Sequence, residues 1–491
     1  MSEETSELLQ LRRDKIQTWK ELGIDPFGKS FENVETSAAI VEGYVEEKSV
    51  RAAGRLVALR EMGKSLFAHL LDATGRIQIY AKKEVLADSF DHFKRFDLGD
   101  FIGVEGTLFT SKSGEKTIRV THVEMLSKAL RPMPGKWHGL SDVEQRYRQR
   151  YLDLMSNPVV RRTLTQRSQV VREIRSFLET KGFMEVETPM MQSIPGGAAA
   201  QPFVTHHNAL NIDLYMRIAP ELYLKRLLVG GFDKVFEVNR NFRNEGISRK
   251  HNPEFTMLEC YWAYADFEKM ADLVEELITT VAQKVIGSLQ VGAPLDMETS
   301  WNQEEVKGEP RIDLTRPWPR KRYHDCIKEV AGADWFDCSA DQRREKAKLL
   351  GLEISPAMED FEVTNQIFEK LVEAKTINPL FVTHLPKELV PLAKQNVENP
   401  SVVDVFELII NGQEIAPGYS ELNDPIVQRE RLEHQAGEET QKLDEDFLLA
   451  LEHGMPPAGG IGLGIDRLVM LLTGAESIRD VILFPLMRPK E

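Results

Sequence analysis

The chain has 491 residues, of which 42% are apolar and 28% are charged, and this predicts about two or three globular domains with sizeable cores. The formal net charge of -15 argues against a protein that coats nucleic acid nonspecifically, although an acidic protein can still carry one basic surface. Three cysteines without a CxxC pair exclude a disulfide framework. With no N-terminal apolar leader and no stretch of about 18 apolar residues, we expect a soluble cytoplasmic protein that does not enter a membrane.

The first 130 residues predict a helical segment followed by a small barrel. Residues 8–22 have a helical pattern, and we assign 1–50 to an N-terminal helical extension. From residue 51 onward the pattern changes to short strand-like runs parted by turn signals, at 55–60, 65–72, 76–82, 101–109 and 117–126. Five strands with one helical gap predict a closed barrel, and the OB-fold is the commonest small barrel with that strand count. We therefore assign 51–130 to a five-stranded OB-fold β-barrel.

A linker and a larger domain follow the barrel. The Pro- and Gly-rich stretch RPMPGKWHG opens a linker over 131–155, which continues into a basic helical stretch at 144–154. Residues 156–491 alternate strands and helices irregularly, which predicts an α+β domain on an antiparallel sheet rather than βαβ repeats. Neither a GxGxxG after a strand nor a P-loop occurs, so the sequence supports neither of the usual nucleotide folds.

An amphipathic helix opens this larger domain. Its apolar residues recur with helical spacing and its end coincides with a glycine, which is a natural C-terminal cap. These residues are Val171, Ile174, Phe177, Leu178 and, at the cap, Gly182.

The stretch RNEGISRKHNPEF (243–255) joins two strand-like runs and has an unusual mixture of charges and a closing aromatic ring. If 235–245 is a strand, period two places Arg243 and Glu245 on one face, and on the return strand Phe255, Glu259 and Tyr261 share a face. Arginine binds phosphate or carboxylate groups, and phenylalanine stacks on bases. Taken alone, a solvated hairpin tip would be the more common explanation.

A second stretch, VDVFELIINGQEIAPGYSELND (403–424), predicts a hairpin with Asn-Gly at its turn. This turn pairs Ile409 with Glu414 and Glu407 with Ala416, so the two glutamates lie on one face with backbones roughly 7–8 Å apart. Two such carboxylates suit Mg²⁺, which prefers oxygen ligands. An exposed glutamate pair on a solvated face is the alternative.

A third stretch, PPAGGIGLGIDRLVMLL (456–472), places four glycines before an apolar helix that opens with Asp466 and Arg467. Glycines allow close approach of a ligand, and a helix start favours anions. By itself this junction is a weak signal.

Together these segments resemble the motifs of the class II aminoacyl-tRNA synthetases. GFMEVETPMM (182–191) is similar to motif 1, FRNEGISRKHNPEFTMLE (242–259) to motif 2 and GLGIDRLVMLL (462–472) to motif 3. Within that class, IPGGAAAQPF (194–203), SELND (420–424) and several other stretches resemble the bacterial lysyl-tRNA synthetases. The resemblance runs from about Gly54 to the C-terminus, with the barrel in the expected order. It implies ATP-dependent ligation of L-lysine to its cognate tRNA through a lysyl-adenylate.

The resemblance also implies an ATP site. Arg243 would hold the substrate carboxylate and the α-phosphate, Phe255 would stack under the adenine, and Arg467 would close over it and meet the γ-phosphate. Glu245 would accept from the adenine amino group, and the β- and γ-phosphates would meet Arg249, Lys250 and His251. The implied catalytic residues are Arg243, Glu245, His251 and Arg467. Mg²⁺ would be carried by Glu407 and Glu414.

For lysine, the resemblance assigns the α-amino group to Glu221 and the Gly197 carbonyl. It assigns the ε-amino group to Glu421, Tyr261 and Glu259. An acidic residue at Glu221 is also simply a good choice for the first turn of a helix.

One departure affects this pocket, because EIAPGYSELND (414–424) has Ala416, Pro417 and Tyr419 where the family commonly has Gly, Asn and Phe. Tyr419 is therefore included among the lysine-binding residues, with the shape of the pocket left open.

In the barrel, the resemblance assigns Arg60, Phe67 and Gln78 to the tRNA anticodon, with Phe67 stacking on the central base. Ordinary surface residues of a hairpin are the alternative for each. Motif 1 further implies a homodimer. Three rivals stay open: an aspartate or asparagine synthetase, a paralogue that attaches a lysine-like group to a protein, and a non-catalytic synthetase derivative that binds nucleic acid.

Overall fold

The computed structural model describes residues 3–134, 140, 142–198, 200–295, 308–309, 311–390, 393–438 and 443–489. Its contacts divide these residues into two compact units, with the boundary after Pro158. Of the predicted linker segment RPMPGKWHG, residues 135–139 lie outside the described residues.

The N-terminal unit is built on a closed barrel with the strand order β1-β2-β3-β5-β4. The strands are Ser49–Met62 (β1), Ser65–Leu71 (β2), Arg76–Lys82 (β3), Phe101–Thr110 (β4) and Lys116–Ser127 (β5). The helices are Glu3–Glu21 (α1), Ser37–Glu42 (α2), Lys83–Leu86 (α3), Ser89–Phe93 (α4), Val143–Arg148 (α5) and Arg150–Ser156 (α6). The predicted five-stranded barrel is confirmed. Strand β1 starts earlier than the predicted run at residue 55, because alternate residues are buried from Val50 onward.

The C-terminal unit contains an eight-stranded sheet with the order β14-β15-β16-β17-β18-β11-β10-β6. Its strands are Met184–Glu185 (β6), Lys234–Phe242 (β10), Glu254–Ala263 (β11), Arg320–Arg322 (β14), Leu380–Thr383 (β15), Val405–Ile410 (β16), Gln413–Ser420 (β17) and Ala458–Gly464 (β18). Neighbouring strands are antiparallel except for the two outermost pairs, β10–β6 and β14–β15. The predicted α+β fold on an antiparallel sheet is confirmed.

Smaller sheets and helices surround this sheet. The remaining strands are Met191–Gln192 (β7), Val204–His207 (β8), Ile212–Met216 (β9), Gln290–Val291 (β12) and Ile312–Asp313 (β13). The helices are Pro158–Thr180 (α7), Glu221–Val229 (α8), Phe267–Val285 (α9), Tyr323–Ala331 (α10), Ala340–Leu349 (α11), Asp360–Ile367 (α12), Pro425–Glu438 (α13), Glu445–Glu452 (α14), Ile465–Thr473 (α15) and Ile478–Val481 (α16). Short 3₁₀ turns at Trp335–Asp337 and Glu373–Lys375 and a π-helical turn at Phe368–Val372 complete the described elements.

The main core lies between this sheet and helices α7, α9 and α15. Of the predicted apolar stripe of α7, Ile174, Phe177 and Leu178 are buried there and Val171 is partly buried. The helix ends two residues before Gly182, whose φ of +81° suits a residue without a side chain. Along β11, Leu258 and Cys260 face this core, whereas Glu259 and Tyr261 belong to the opposite face. The opposite face is therefore free to carry polar side chains.

Two local predictions were wrong. Strand β10 ends at Phe242, so Arg243 and Glu245 lie beyond it; the Glu245 N–H donates to the Arg243 carbonyl at 2.9 Å, a tight turn that an extended strand cannot make. In the β16–β17 hairpin, Ile409 pairs with Glu414 as predicted, but Glu407 pairs with Pro417 rather than with Ala416. A bulge places one extra residue of β17 between Glu414 and Ala416, and this shifts the register of the pairs beyond it.

Candidate functional site

A cavity of about 210 Å³ lies in the C-terminal unit where β11, β17, β18 and the loop after β10 meet α15. It is lined by polar groups from motifs that are far apart in sequence. These include Arg243, Glu245, Lys250, His251, Phe255, Glu414 and Arg467. The side chain of Arg249 is not among the lining residues, although its carbonyl anchors the loop by accepting from the Ile478 N–H at 2.8 Å.

Arg243 lies over the ring of Phe255, with its guanidinium carbon 5.2 Å from the ring centroid. The buried Nε of Arg243 has no hydrogen-bond partner among the described residues. An unpaired buried donor costs about 1–3 kcal/mol. An anionic ligand that accepts from this Nε would remove that cost, because the donor has already lost its water. The pair thus offers a cation and an aromatic face to the same cavity.

Arg467 enters the cavity from the first turn of α15, where the glycine-rich strand β18 ends. Its Nη1 donates to the Glu414 carbonyl at 2.8 Å, and its Nη2 lies 3.3 Å from His251 Nε2. The preceding residue, Asp466, accepts from Arg167 Nη1 at 2.5 Å and from the Thr256 N–H at 2.8 Å. These contacts fix the start of α15 against β11, and so hold Arg467 in the cavity that Phe255 also lines.

Hydrogen bonds hold the loop residues Lys250 and His251 in place. Lys250 Nζ donates to the Gly412 carbonyl at 2.9 Å, and His251 Nδ1 lies 2.9 Å from Ser248 Oγ. Burial lowers the pKa of His251, and the positive charge of Arg467 lowers it further. The imidazole is therefore neutral near pH 7.

Glu407 and Glu414 interact electrostatically although the bulge changes their register. Burial raises the pKa of Glu407 well above its ordinary value, and the nearby charges of Glu414 and Glu373 raise it further. Burial also raises the pKa of Glu414, whose N–H donates to Glu373 Oε1 at 3.2 Å. A divalent cation would relieve this repulsion, so the donor set fits a hard metal ion. Within the described ranges, no group of three or more His, Cys, Asp or Glu side chains could hold a metal ion, so a metal at this pair would take its remaining ligands from a bound phosphate or from water.

A second polar cluster contains the acidic residues assigned to lysine. Glu221 begins helix α8, and Glu421 follows directly after β17. Both contact the same buried ammonium, because Lys225 Nζ lies 2.6 Å from Glu221 Oε1 and 2.6 Å from Glu421 Oε2. The side chain of Lys225 is 0% exposed. The two carboxylates therefore belong to one cluster and not to separate cavities.

Glu259 and Tyr261 stand on the same face of β11 beside this cluster. Tyr261 Oη donates to Glu259 Oε2 at 3.1 Å. Burial and the charge of Glu221 raise the pKa of Glu259 to about 8, while Arg243 and Arg217 act in the opposite direction. Glu259 pairs with Gly462, which lines the cationic cavity, so the acidic cluster lies next to that cavity.

Glycines make room for these side chains. Gly460 pairs with Tyr261 on one neighbouring strand and with Tyr419 on the other. A Cβ at Gly460 would overlap Glu421 Oε1 and lie 2.7 Å from Cε1 of Tyr261. Gly197, at φ +86°, similarly lies against Glu221, where a Cβ would come within 3.0 Å of the glutamate Cβ. The close approach of the backbone therefore creates the space around both carboxylates.

Sequence reasoning missed Lys225 and Asp466. The spacing of Glu221 and Lys225, four residues apart on a helix, is the available signal, but it is typical of surface ion pairs. For Asp466, the only signal in the sequence is its position at the start of a helix.

In the N-terminal unit, the three residues assigned to the anticodon lie on neighbouring strands. Arg60 pairs with Phe67, and Phe67 pairs with Tyr80, whose ring centroid is 4.6 Å away. Gln78 is 8% exposed, and its amide is engaged by Thr117 and by Glu115. Arg60 and the partly exposed Phe67 therefore form an accessible surface, whereas Gln78 must exchange partners before it can contact a base.

Two protein-family descriptions match different parts of the chain. The family described as tRNA synthetases class II (D, K and N) matches residues 142–488, which is more than half of the chain. The chain belongs to the class II tRNA synthetases. The description OB-fold nucleic acid binding domain matches residues 50–126 and confirms the predicted OB-fold. No helix within the described ranges of this class II synthetase is long and apolar enough to cross a membrane.

Curated relatives match this synthetase along its whole length. The lysine–tRNA ligase of Carboxydothermus hydrogenoformans is 52% identical over 100% of this chain and 99% of its own. That of Pelotomaculum thermopropionicum is 52% identical over 100% of this chain and 96% of its own. The lysine–tRNA ligase of Bacillus subtilis is 49% identical over 99% of this chain and 98% of its own.

Proposed function

We propose that this class II synthetase ligates L-lysine to its cognate tRNA at the expense of ATP, through a lysyl-adenylate. The observation that carries the proposal is the position of the acidic cluster of Glu221, Glu259 and Glu421 beside the cationic cavity around Arg243. The curated relatives that match the full chain support it. The reaction would take place in the cytoplasm.

In the first step, a lysine carboxylate oxygen attacks the α-phosphorus of ATP, the bond from that phosphorus to the bridging oxygen breaks, and pyrophosphate leaves with the electron pair. The reaction needs positioning and charge stabilisation rather than a covalent nucleophile. Arg243 is suited to both anions that meet at this point, the carboxylate and the α-phosphate. Phe255 would stack under the adenine, with Arg467 above it, and Glu245 would accept from the adenine amino group.

Side chains that line the cavity would balance the negative charge of the triphosphate. Lys250 and Arg467 provide cations there, and the neutral His251 provides a hydrogen-bonding group. Glu407 and Glu414 would hold Mg²⁺, which neutralises phosphate charge when bound.

The ammonium groups of lysine would be divided between the two ends of the acidic cluster. Glu221 and the Gly197 carbonyl would receive the α-ammonium, and Glu421, Glu259, Tyr261 and Tyr419 would surround the ε-ammonium. A buried charged group without a partner costs several kcal/mol, so an uncharged isostere of lysine, which would leave Glu421 Oε1 without a donor, is strongly disfavoured.

In the second step, the 3′-terminal ribose hydroxyl of the tRNA attacks the lysyl carbonyl, and AMP leaves. We assign 51–130 to anticodon binding through Arg60, Phe67 and Gln78, and 156–491 to catalysis, with 1–50 as a helical extension and 131–155 as the linker. The motif 1 resemblance favours a homodimer.

The discriminating experiment is ATP–pyrophosphate exchange with lysine, aspartate or asparagine in turn, followed by charging of a lysine tRNA. We expect exchange with lysine alone, and its loss in Arg243→Ala. Exchange with aspartate or asparagine, or charging in the absence of exchange, would overturn the assignment. Absence of both activities in the folded protein would point instead to a non-catalytic derivative.

A further inference from the structure

The acidic cluster contains its own ammonium group, which none of the assigned roles uses. Lys225 Nζ contacts one oxygen of Glu221 and one oxygen of Glu421, both at 2.6 Å. The carboxylates come from helix α8 and from the segment after β17, so Lys225 is the direct link between these two parts of the pocket.

Each carboxylate keeps a second oxygen for another partner. Glu421 Oε1 is buried and has no hydrogen-bond partner among the described residues. Glu221 Oε2 is directed toward Gly197, since a Cβ there would lie 3.7 Å from it. One oxygen of each carboxylate is thus bound to Lys225, and the second oxygen of each is available to accept a hydrogen bond from a ligand.

Electrostatics explains why this arrangement requires Lys225. Two carboxylates, one buried and one largely buried, that each place an oxygen 2.6 Å from one point repel each other strongly, and without a cation one of them would take up a proton or move away. Burial alone would lower the pKa of Lys225, but the attraction of Glu221 and Glu421 leaves it above its ordinary value. The ammonium is therefore charged at neutral pH and holds both carboxylates in place.

We propose that Lys225 is a positioning residue for substrate selection, which acts by holding Glu221 and Glu421 at a fixed separation that matches the two ammonium groups of lysine. This inference rests on the proposed function. It also explains discrimination against shorter diamino acids, because a fixed spacing disfavours a substrate whose two ammonium groups cannot reach both free oxygens.

The test compares Lys225→Met with a matched control on the same helix, Arg226→Met. Arg226 follows Lys225 directly but pairs with Asp444 and Asp446, outside the cluster. In lysine-dependent exchange, we expect Lys225→Met to raise the KM for lysine about 100-fold and to leave the KM for ATP within about twofold. The ratio of kcat/KM for lysine to that for ornithine should fall at least tenfold. Arg226→Met should retain both values.

A purely structural role predicts a different pattern. It would lower thermal stability and the amount of active enzyme while leaving the KM for lysine and the lysine-to-ornithine ratio unchanged, and that outcome overturns the proposal. If Lys225→Met does not fold, the double variant Lys225→Met/Glu421→Gln removes the stranded charge and is compared with Glu421→Gln alone. Identical discrimination in these two variants also overturns it. Lack of lysine-dependent exchange in the unmodified protein would instead reject the proposed function itself.

Discussion

Gly460→Ala tests the geometry of the acidic cluster with a single methyl group. Gly460 lies between the two tyrosine-bearing strands, and a Cβ there would overlap Glu421 Oε1 and stand 2.7–2.8 Å from two ring carbons of Tyr261. The strand backbone on both sides is hydrogen-bonded, so the side chains must give way. Because carbon contacts normally lie at about 3.5–4.0 Å, the Glu421 carboxylate has to move by roughly 1 Å or more.

The size of the effect follows from this displacement. A misplacement of about 1 Å in a binding group costs about 100-fold in activity, which corresponds to about 2.7 kcal/mol at about 1.36 kcal/mol per factor of ten. We expect this loss to fall on the KM for lysine, since Gly460 does not line the cavity proposed for ATP. The assay is ATP–pyrophosphate exchange with lysine and ATP varied separately.

Gly230→Ala provides the matched control. Gly230 has φ of -72°, and an added Cβ would meet nothing closer than 3.4 Å, so this variant should retain both KM values. A folded Gly460→Ala enzyme with an unchanged KM for lysine would refute the assignment of Glu421 to the lysine side chain. An equal increase in the KM for ATP would show that the two clusters are not separate sites.

Four further predictions follow from individual contacts. The pKa of Glu259 is raised from 4.5 to about 8 and that of Glu421 to about 7, and a bound ammonium would lower both, so lysine binding should strengthen as pH rises toward about 8. The accompanying proton release is measurable by calorimetry in buffers of different ionisation enthalpy and should be smaller in Glu259→Gln, whereas unchanged release in that variant would contradict the reasoning. Phe67→Ala should keep exchange within about twofold but raise the KM for tRNA about 5- to 100-fold, and equal loss of both activities in a folded protein would refute the role of the barrel. Arg167→Met leaves the buried Asp466 carboxylate without its guanidinium partner and should lower the free energy of unfolding by about 3 kcal/mol in urea titrations, whereas no change would exclude that ion pair as a stabilising contact. Glu414→Gln should raise the Mg²⁺ concentration needed for half-maximal exchange, and an unchanged requirement would remove Glu414 from the proposed metal site.

The sequence predicted those features that depend on local pattern. The barrel strands alternate buried and exposed residues, and the Asn411-Gly412 turn sets the first pairs of its hairpin, so both could be read from short segments. The prediction failed where a single residue interrupts the pattern. One extra residue of β17 lies between Glu414 and Ala416, and this bulge shifts the partner of Glu407 from Ala416 to Pro417.

The link between the carboxylates was not predictable from local pattern for a different reason. Glu221 and Lys225 have the spacing of an ordinary surface ion pair, which contributes a few tenths of a kcal/mol. Only the tertiary fold encloses this pair and adds Glu421, which lies directly after a strand almost two hundred positions later. The same holds for Arg167 and Asp466, whose contact joins the first and last helices of the main core.

The opposite charges of the two adjoining sites also determine how a substrate is oriented. In the proposed assignment, lysine brings one carboxylate and two ammonium groups, so only one orientation would place the carboxylate at Arg243 and both ammonium groups at the free oxygens of Glu221 and Glu421. Reversing the molecule would bring its carboxylate against buried carboxylates, and aspartate would meet the same repulsion with its side chain. Like charges placed together in this way cost several kcal/mol. The charge pattern that selects lysine therefore also directs its reactive carboxylate toward the phosphate, and substrate choice and alignment for the reaction have a common physical cause.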